Sequence, residues 1–326
     1  MIVTVTPNPS LDKTVELSGP LAVGQVQRAT GQHAEPGGKG VNIARALAAA
    51  GDATLALLPG DPSDPVISAL HELAVPHRSI TLGQPLRTNI AVTDPQGITT
   101  KINELGPRLS PQHAADFTAL ILREAAGASW IAMAGSLPPG LPADFYQRTI
   151  GQVRRASAPA LVAVDASGDA LVRAAAGSPD LIKPNAEELK EVAGRLLGAH
   201  QVPRLTAAEL EGSKQEVARL VRALQAHGIR AALVTLGRHG AVFVPANPSE
   251  PVLAASGPPL VVRSTVGAGD ASLAGFLSAH ERGATASECL RHAMAQGRAA
   301  ASLPGSTMPG PEDLRLSDVV VEELTL

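Results

Sequence analysis

The run Ser264-Thr265-Val266-Gly267-Ala268-Gly269-Asp270 leads directly into the apolar stretch ASLAGFLSAH. Two glycines one residue apart let successive backbone N–H groups converge, and a helix that starts there adds its positive N-terminal dipole, so the natural occupant is an anion such as a nucleotide phosphate. Asp270 falls in the first helical turn, beside that anion. A carboxylate against a phosphate is unfavourable unless it has a chemical task, such as taking a proton from an attacking hydroxyl. Read alone, the segment is better accounted for by a glycine turn in which Asp270 offsets the helix dipole.

Pro36-Gly37-Gly38-Lys39-Gly40-Val41-Asn42 opens an Ala-rich helix. It lacks the spacing and the final Ser or Thr of a Walker A loop. Its glycines would let a ligand approach the backbone, with Lys39 and Asn42 supplying a charge and an orienting amide, although a helix-entry turn alone explains it too. In Lys183-Pro184-Asn185-Ala186-Glu187-Glu188-Leu189, Asn185 and Glu188 have the spacing of an N-cap and its capping-box partner. A Glu near a nucleotide could also hold Mg²⁺ through water, since that ion keeps most of its hydration shell. Asp12, Arg87-Thr88-Asn89, Gly135-Ser136-Leu137-Pro138 and Thr235-Leu236-Gly237 are weaker singly. Most of them lie just past the carboxyl end of an expected strand or on a hairpin, and that edge is where open α/β sheets bind ligands. The nine histidines show no HExxH or comparable ligand spacing, and Ser136 is not in a GxSxG elbow, which argues against an α/β-hydrolase.

The elements that must position these groups read as alternating strands and helices. Apolar runs at 2–6, 53–58, 129–134, 160–164, 231–235 and 241–244 lack alternation, as strands covered on both faces do. A short strand is expected at 180–183. Helical spacing covers 41–50, 111–125, 142–155, 213–227, 269–281 and 285–302, so the expected core is a parallel sheet wrapped by helices. Residues 194–214 read as a surface loop and helix start. Residues 12–34 and 86–104 instead alternate polar and apolar around Ser18-Gly19-Pro20 and Asp94-Pro95-Gln96-Gly97, as half-exposed hairpins do. They are expected to pair as a small projecting sheet, giving a core of residues 1–11, 35–84 and 105–326 and a discontinuous lid of 12–34 and 85–104. Two edge hairpins extending the main sheet are the alternative.

Composition limits the function classes. The 326 residues contain four Phe, one Trp and one Tyr, against 44% apolar residues overall, so the core must be aliphatic and aromatic stacking platforms for single-stranded nucleic acid are excluded. A net charge of −3 provides no global field for nucleic acid or anionic membrane. The lone Cys289 excludes a disulfide framework and multi-Cys metal sites, and no apolar run reaches the length of a membrane span. A cytoplasmic protein without nucleic-acid or membrane partners is expected.

Taken in order, TPNPSLD (6–12), PGGKGVNIA (36–44), RTN (87–89), GSLPPG (135–140), KPNAEEL (183–189), TLGRHGA (235–241) and STVGAGD (264–270) resemble the PfkB, or ribokinase-like, sugar kinases, and within them the phosphosugar branch. The resemblance covers nearly the whole chain. It implies a central, mostly parallel sheet with helices on both faces and a small β-sheet lid, ATP and Mg²⁺ as cofactors, and a homodimer as a possible assembly. Asp270 matches the catalytic base, and Gly267, Ala268 and Gly269 the anion hole facing the transferred phosphoryl group. Lys183, Asn185, Thr235, Gly237, Thr265 and Gly297 match nucleotide-side positions, while Glu188, with Asn185, matches the metal-organising pair. Asp12, Gly38 and Asn42 match sugar-hydroxyl contacts, Lys39, Arg87 and Ser136 positions near the substrate's phosphate, and Arg28 a basic lid residue. Ala271 stands where the branch usually has Ser, and GDPSDP (60–65) lacks a glycine often found at its end.

The expected reaction is transfer of the ATP γ-phosphoryl to a free primary hydroxyl of a ketohexose phosphate, with O6 of fructose 1-phosphate first and tagatose 6-phosphate or fructose 6-phosphate as alternatives. Lys39 and Arg87 point to a phosphorylated sugar, because two partly buried cations beside a neutral hexose would lack partners. A non-catalytic sugar-phosphate sensor is the rival of a different class, opposed by the intact Asp270 segment. A dinucleotide-dependent oxidoreductase would need GxGxxG where this chain has Pro7-Asn8-Pro9.

Overall fold

The computed structural model describes residues 1–155 and 159–326. Its strands are β1 (Ile2–Val5), β2 (Ser10–Leu17), β3 (Ala29–Gly37), β4 (Thr54–Pro59), β5 (His77–Ile80), β6 (Arg87–Thr93), β7 (Thr99–Asn103), β8 (Trp130–Ala134), β9 (Leu161–Asp165), β10 (Leu181–Ile182), β11 (Ala232–Thr235), β12 (Ala241–Val244), β13 (Val252–Ser256) and β14 (Val320–Leu324). The helices are α1 (Lys39–Ala49), α2 (Pro65–Glu72), α3 (Pro111–Ala125), α4 (Phe145–Val153), α5 (Gly168–Ala175), α6 (Ala186–Leu196), α7 (Ala207–Glu211), α8 (Lys214–Gln225), α9 (Ala268–Glu281) and α10 (Ala286–Ser302).

Ten strands form the central sheet in the order β14-β13-β12-β11-β10-β9-β8-β1-β4-β5. From β11 to β5 every pair is parallel, and β12, β13 and β14 add antiparallel strands at one edge. Side chains along a strand alternate between faces. Here both faces are apolar: Ile131 and Met133 of β8 join one core cluster, whereas Trp130, Ala132 and Ala134 join the other. Helices α2 to α8 supply buried residues to the first cluster, while α9, α10 and Ile43, Ala46 and Leu47 of α1 supply the second. This doubly covered sheet gives the fold class its sequence pattern implies. With so few aromatics, helix packing relies on small residues, most clearly between the Ala-rich α9 and α10.

The structure departs from the sequence reading in several places. Strands β5, β13 and β14 are added; the edge strands β5 and β14 escaped because His77–Ile80 and Val320–Leu324 are half polar and carry no continuous apolar signal. Helix α4 is shorter than 142–155. Part of 194–214 is helical: α6 runs to Leu196, and Thr206 caps α7 by accepting from the Glu209 N–H. Residues 36 and 37 end β3, and α1 begins at Lys39.

A second sheet has the order β3-β2-β6-β7. Its two segments are joined by parallel pairing of β2 with β6, which sets Ser10 beside Arg87, Asp12 beside Asn89 and Thr14 beside Ala91. The turn at 94–97 is held by the Asp94 carboxylate, which accepts from the Gln96 and Ile98 N–H groups.

Candidate active site

A cleft of about 1330 Å³ lies between the two sheets. Its floor is built from residues that follow the carboxyl ends of β1, β8, β9, β10 and β11: Asn8, Ser136, Ser167, Lys183 and Gly237. One face of the small sheet forms its roof. The rows Asp12, Asn89, Asn103 and Thr14, Ala91, Lys101 share a face by strand register, and all six line the cleft.

The floor carries a compact charge network. Asp165, at the end of β9, is fully buried, with Lys39 Nζ at 2.7 Å from Oδ1 and Lys183 Nζ at 3.1 Å from Oδ2. Lys39 also reaches Glu188 Oε1 at 3.2 Å. Burial alone would raise the Asp165 carboxyl, but the two ammonium groups hold it below the ordinary aspartate range. Burial likewise works against the charge on Lys39, and Asp165 and Glu188 reverse that, keeping its ammonium well above the usual lysine range.

Asp270 sits in the first turn of α9 and is also buried. Desolvation and the nearby Asp165 charge push its carboxyl up to about 6, against the opposing pull of Lys183, Lys39 and a 2.8 Å hydrogen bond donated by Asn42 Nδ2. Gly267 precedes the helix with φ 75°, a left-handed conformation that only glycine adopts without strain, and no side chain caps this terminus. The Ala268 N–H donates to the Thr265 carbonyl at 3.4 Å, which leaves the Gly269 and Asp270 N–H groups of the first turn open to a ligand. At Gly269 a Cβ would stand 3.2 Å from Lys183 Nζ, so the lysine lies directly against the glycine turn.

On the roof side, Asp12 Oδ1 accepts from Ser10 Oγ at 2.7 Å and Asn89 Nδ2 at 2.9 Å. Arg87 donates to the carbonyls of Glu104 and Asn8 at 3.1 and 3.0 Å, while its buried Nε finds no partner among the described residues. Asn8 donates to Ser136 Oγ at 3.1 Å, and Asn8 Oδ1 and Asn89 Oδ1 are buried without donors among the described residues. Another part of the cleft lining is mainly aliphatic and backbone, with Gly257, Pro258, Pro259, Leu260, Val262 and Ala301 beside Arg298.

The structure thus brings together Asp12, Gly38, Lys39, Asn42, Arg87, Ser136, Lys183, Asn185, Glu188, Thr235, Gly237, Thr265, Gly267, Ala268, Gly269, Asp270 and Gly297 on one cleft. Arg28 is not among them: it is exposed in the loop before β3. The Lys39 ammonium, expected near the substrate's phosphate, is paired with two carboxylates, whereas the buried Arg87 Nε has no partner among the described residues. Asp165 was missed by motif reasoning, although a lone carboxylate ending the apolar run LVAVD at the ligand-binding edge was the available signal.

Glu188 and Asn185 cap α6 reciprocally, with Glu188 Oε2 accepting from the Asn185 N–H at 2.9 Å and Asn185 Oδ1 from the Glu188 N–H at 2.8 Å. No group of three or more His, Cys, Asp or Glu residues converges as a metal cage among the described residues. A cation beside Glu188 would draw its remaining ligands from water and phosphate, which suits Mg²⁺.

The fold is ribokinase-like, and it superposes on phosphofructokinase-2 from Escherichia coli in complex with potassium with a TM-score of 0.82, at 26% identity over 96% of both chains. Residues 7–313 match the pfkB family of carbohydrate kinases, and the chain belongs to that family. It is 36% identical over 318 residues to a 1-phosphofructokinase of Rhodobacter capsulatus, covering 96% of this chain and 94% of the relative. It is also 36% identical over 304 residues to a 1-phosphofructokinase of Xanthomonas campestris pv. campestris, covering 90% and 88%.

Proposed function

We propose that the protein transfers the γ-phosphoryl group of ATP to O6 of fructose 1-phosphate, giving fructose 1,6-bisphosphate and ADP. The observation that carries this is the buried Asp270 carboxylate, set between the uncapped start of α9 and the polar roof. As the O6–Pγ bond forms and the bond from Pγ to the bridging oxygen breaks, Asp270 takes the hydroxyl proton. The first-turn N–H groups after Gly267 and the Lys183 ammonium face the charge that builds on the phosphoryl oxygens. ATP lies toward Thr235, Gly237, Thr265 and Gly297, with its base in the aliphatic part. Glu188, oriented by Asn185, would hold Mg²⁺ through water, and the bound ion would neutralise charge on the nucleotide phosphates.

Residues 12–34 and 85–104 act as a lid that closes over the sugar and excludes water as a competing acceptor. Asp12, Gly38 and Asn42 face the sugar hydroxyls. The sugar's phosphate meets Arg87 and Ser136, where the orphaned Arg87 Nε gains a charge-assisted hydrogen bond. A second copy of the chain covers the outer face of the lid, where Val15, Ile90, Val92 and the 58% exposed Ile102 share a face by register.

The two curated relatives above favour fructose 1-phosphate as acceptor. Likeness to phosphofructokinase-2 from Escherichia coli, solved in complex with fructose-6-phosphate, favours fructose 6-phosphate as the second reading. Measuring kcat/KM by coupled ADP release for fructose 1-phosphate, fructose 6-phosphate and tagatose 6-phosphate separates them. A preference of at least about tenfold for fructose 1-phosphate is expected, roughly the value of one well-placed interaction. Arg87→Ala should raise KM for the phosphosugar far more than for free fructose, and an equal change would remove Arg87 from the phosphate site.

A further inference from the structure

Asn42 presents two different faces within the floor of the cleft. Its Nδ2 donates to Asp270 Oδ2 at 2.8 Å, and its Oδ1 faces Arg45 Nη1 at 3.4 Å. Both residues belong to α1 and are buried, Arg45 at 7% exposure. An amide can turn over at the cost of exchanging its donor and acceptor. Turned over here, it would bring its oxygen against the Asp270 carboxylate and its NH₂ against a guanidinium, two like-signed contacts at once.

The same guanidinium reaches outward. Arg45 Nη1 donates to the Pro36 carbonyl at 3.0 Å and to Ser306 Oγ at 3.2 Å, and Nη2 lies 3.6 Å from Glu35 Oε1. Glu35 in turn accepts from the Ser306 N–H at 3.1 Å and from its hydroxyl. Glu35 and Pro36 are at the carboxyl end of strand β3, the segment that joins the small sheet to Gly38 and α1. Arg45 is always charged, so its contribution is positional rather than a titration of its own.

We propose that Arg45 is a positioning residue that fixes the Asn42 amide so that it donates to Asp270, and that it ties this arrangement to the small sheet through Pro36, Glu35 and Ser306. Arg45 does not touch the reacting atoms; it acts through Asn42. The groups that face Asp270 are Asn42 and Lys39 from α1, Asp165 from β9 and Lys183 after β10, and those that face Arg45 are Glu35 and, at longer range, Asp12. The inference rests on Asp270 being the base, so Asp270→Asn is measured in parallel. Loss of turnover in that variant keeps the base assignment, independently of what Arg45 does.

The experiment is the pH profile of kcat and the separate KM values for ATP and sugar phosphate in Arg45→Met, Arg45→Lys and Ser306→Ala. Without the lock, Asp270 loses a donor that favours its charged form. The acid limb of kcat should therefore move to higher pH by about half a unit to one unit, and kcat at pH 7 should fall by up to about twofold with KM for ATP unchanged. Arg45→Lys should recover part of the loss, and Ser306→Ala should show the same direction with a smaller change. An unmoved acid limb with unchanged kcat in Arg45→Met overturns the proposal. If Arg45→Met does not fold, Ser306→Ala carries the test: a shifted limb supports the coupling, and an unshifted one overturns it.

Discussion

The floor and the roof of the cleft solve the problem of holding charge in opposite ways. On the floor, Asp165, Lys39, Lys183 and Asp270 are packed at the ends of strands whose other residues are apolar on both faces, and each charge has a protein partner. On the roof, one face of a thin sheet is polar and the other apolar, and the buried Arg87 Nε and Asn89 Oδ1 have no protein partner among the described residues. A buried ion must be compensated by the protein itself, since water is absent, whereas a group at an open roof can leave a bond for a ligand to complete. The floor therefore tunes the chemistry in advance and the roof does the recognising.

The floor also shows that burial by itself does not set protonation. Asp165 and Asp270 are both buried carboxylates, yet the first is held below the ordinary range by two lysines and the second is pushed up to about 6 by desolvation and by Asp165. Substitutions on the two sides should separate these roles.

The largest effect is expected at Asp270. Asp270→Asn should lower kcat by roughly 10²–10⁴-fold with little change in ATP binding measured by calorimetry. In the unaltered protein, kcat should rise with pH through about 6 as this carboxyl ionises. A raised folded-state value means that folding favours the protonated acid: that stability is present below about pH 4 and is lost as the pH rises through about 6. The neutral Asn side chain avoids the loss, so the variant should be more stable than the parent at pH 8, by roughly 1–3 kcal/mol in denaturant melts. A less stable variant with normal turnover would remove Asp270 from the contrast.

Next in size is Asp165→Asn. It leaves the charges of Lys39 and Lys183 without their shared partner and should destabilise the chain by about 3–5 kcal/mol, the usual range for breaking a buried pair from one side. Thermal unfolding at pH 7 checks it. A change below 1 kcal/mol would mean that Glu188 or water compensates these lysines.

The smallest effect on stability belongs to the outside of the roof. Ile102→Asp, on the strand farthest from the core, should change unfolding free energy by less than about 0.5 kcal/mol, as exposed positions do, while shifting light-scattering mass toward the monomer. An unchanged mass would place any self-association elsewhere.

How much of this was legible in the sequence differs between the two halves of the cleft. The runs at 129–134 and 160–164 announce buried strands because a doubly covered strand needs apolar side chains on both faces. Edge strands such as β5 and β14 escape that rule, since their exposed sides tolerate His77, Arg78, Glu322 and Glu323. In the site, Asp270 and its glycines stand out because they are contiguous and their backbone requirement is local. Arg28 matched a motif by position yet is exposed and does not line the cleft, and Lys39 is paired with two carboxylates.

The sequence by itself therefore determined the α/β class, the helix start at Ala186 and, to within two residues, those at Lys39 and Ala268, and the contiguous residues that open toward a phosphate. These depend on periodicity, capping and glycine content, which act over a few residues. Tertiary structure alone decided that Lys39 meets Asp165 across 126 positions and that Asn42 meets Asp270 across 228. It also decided the parallel pairing of β2 with β6 that builds the roof. Each of these requires distant segments to converge at the same edge of one sheet, and no local preference of the chain encodes which charges will then find one another.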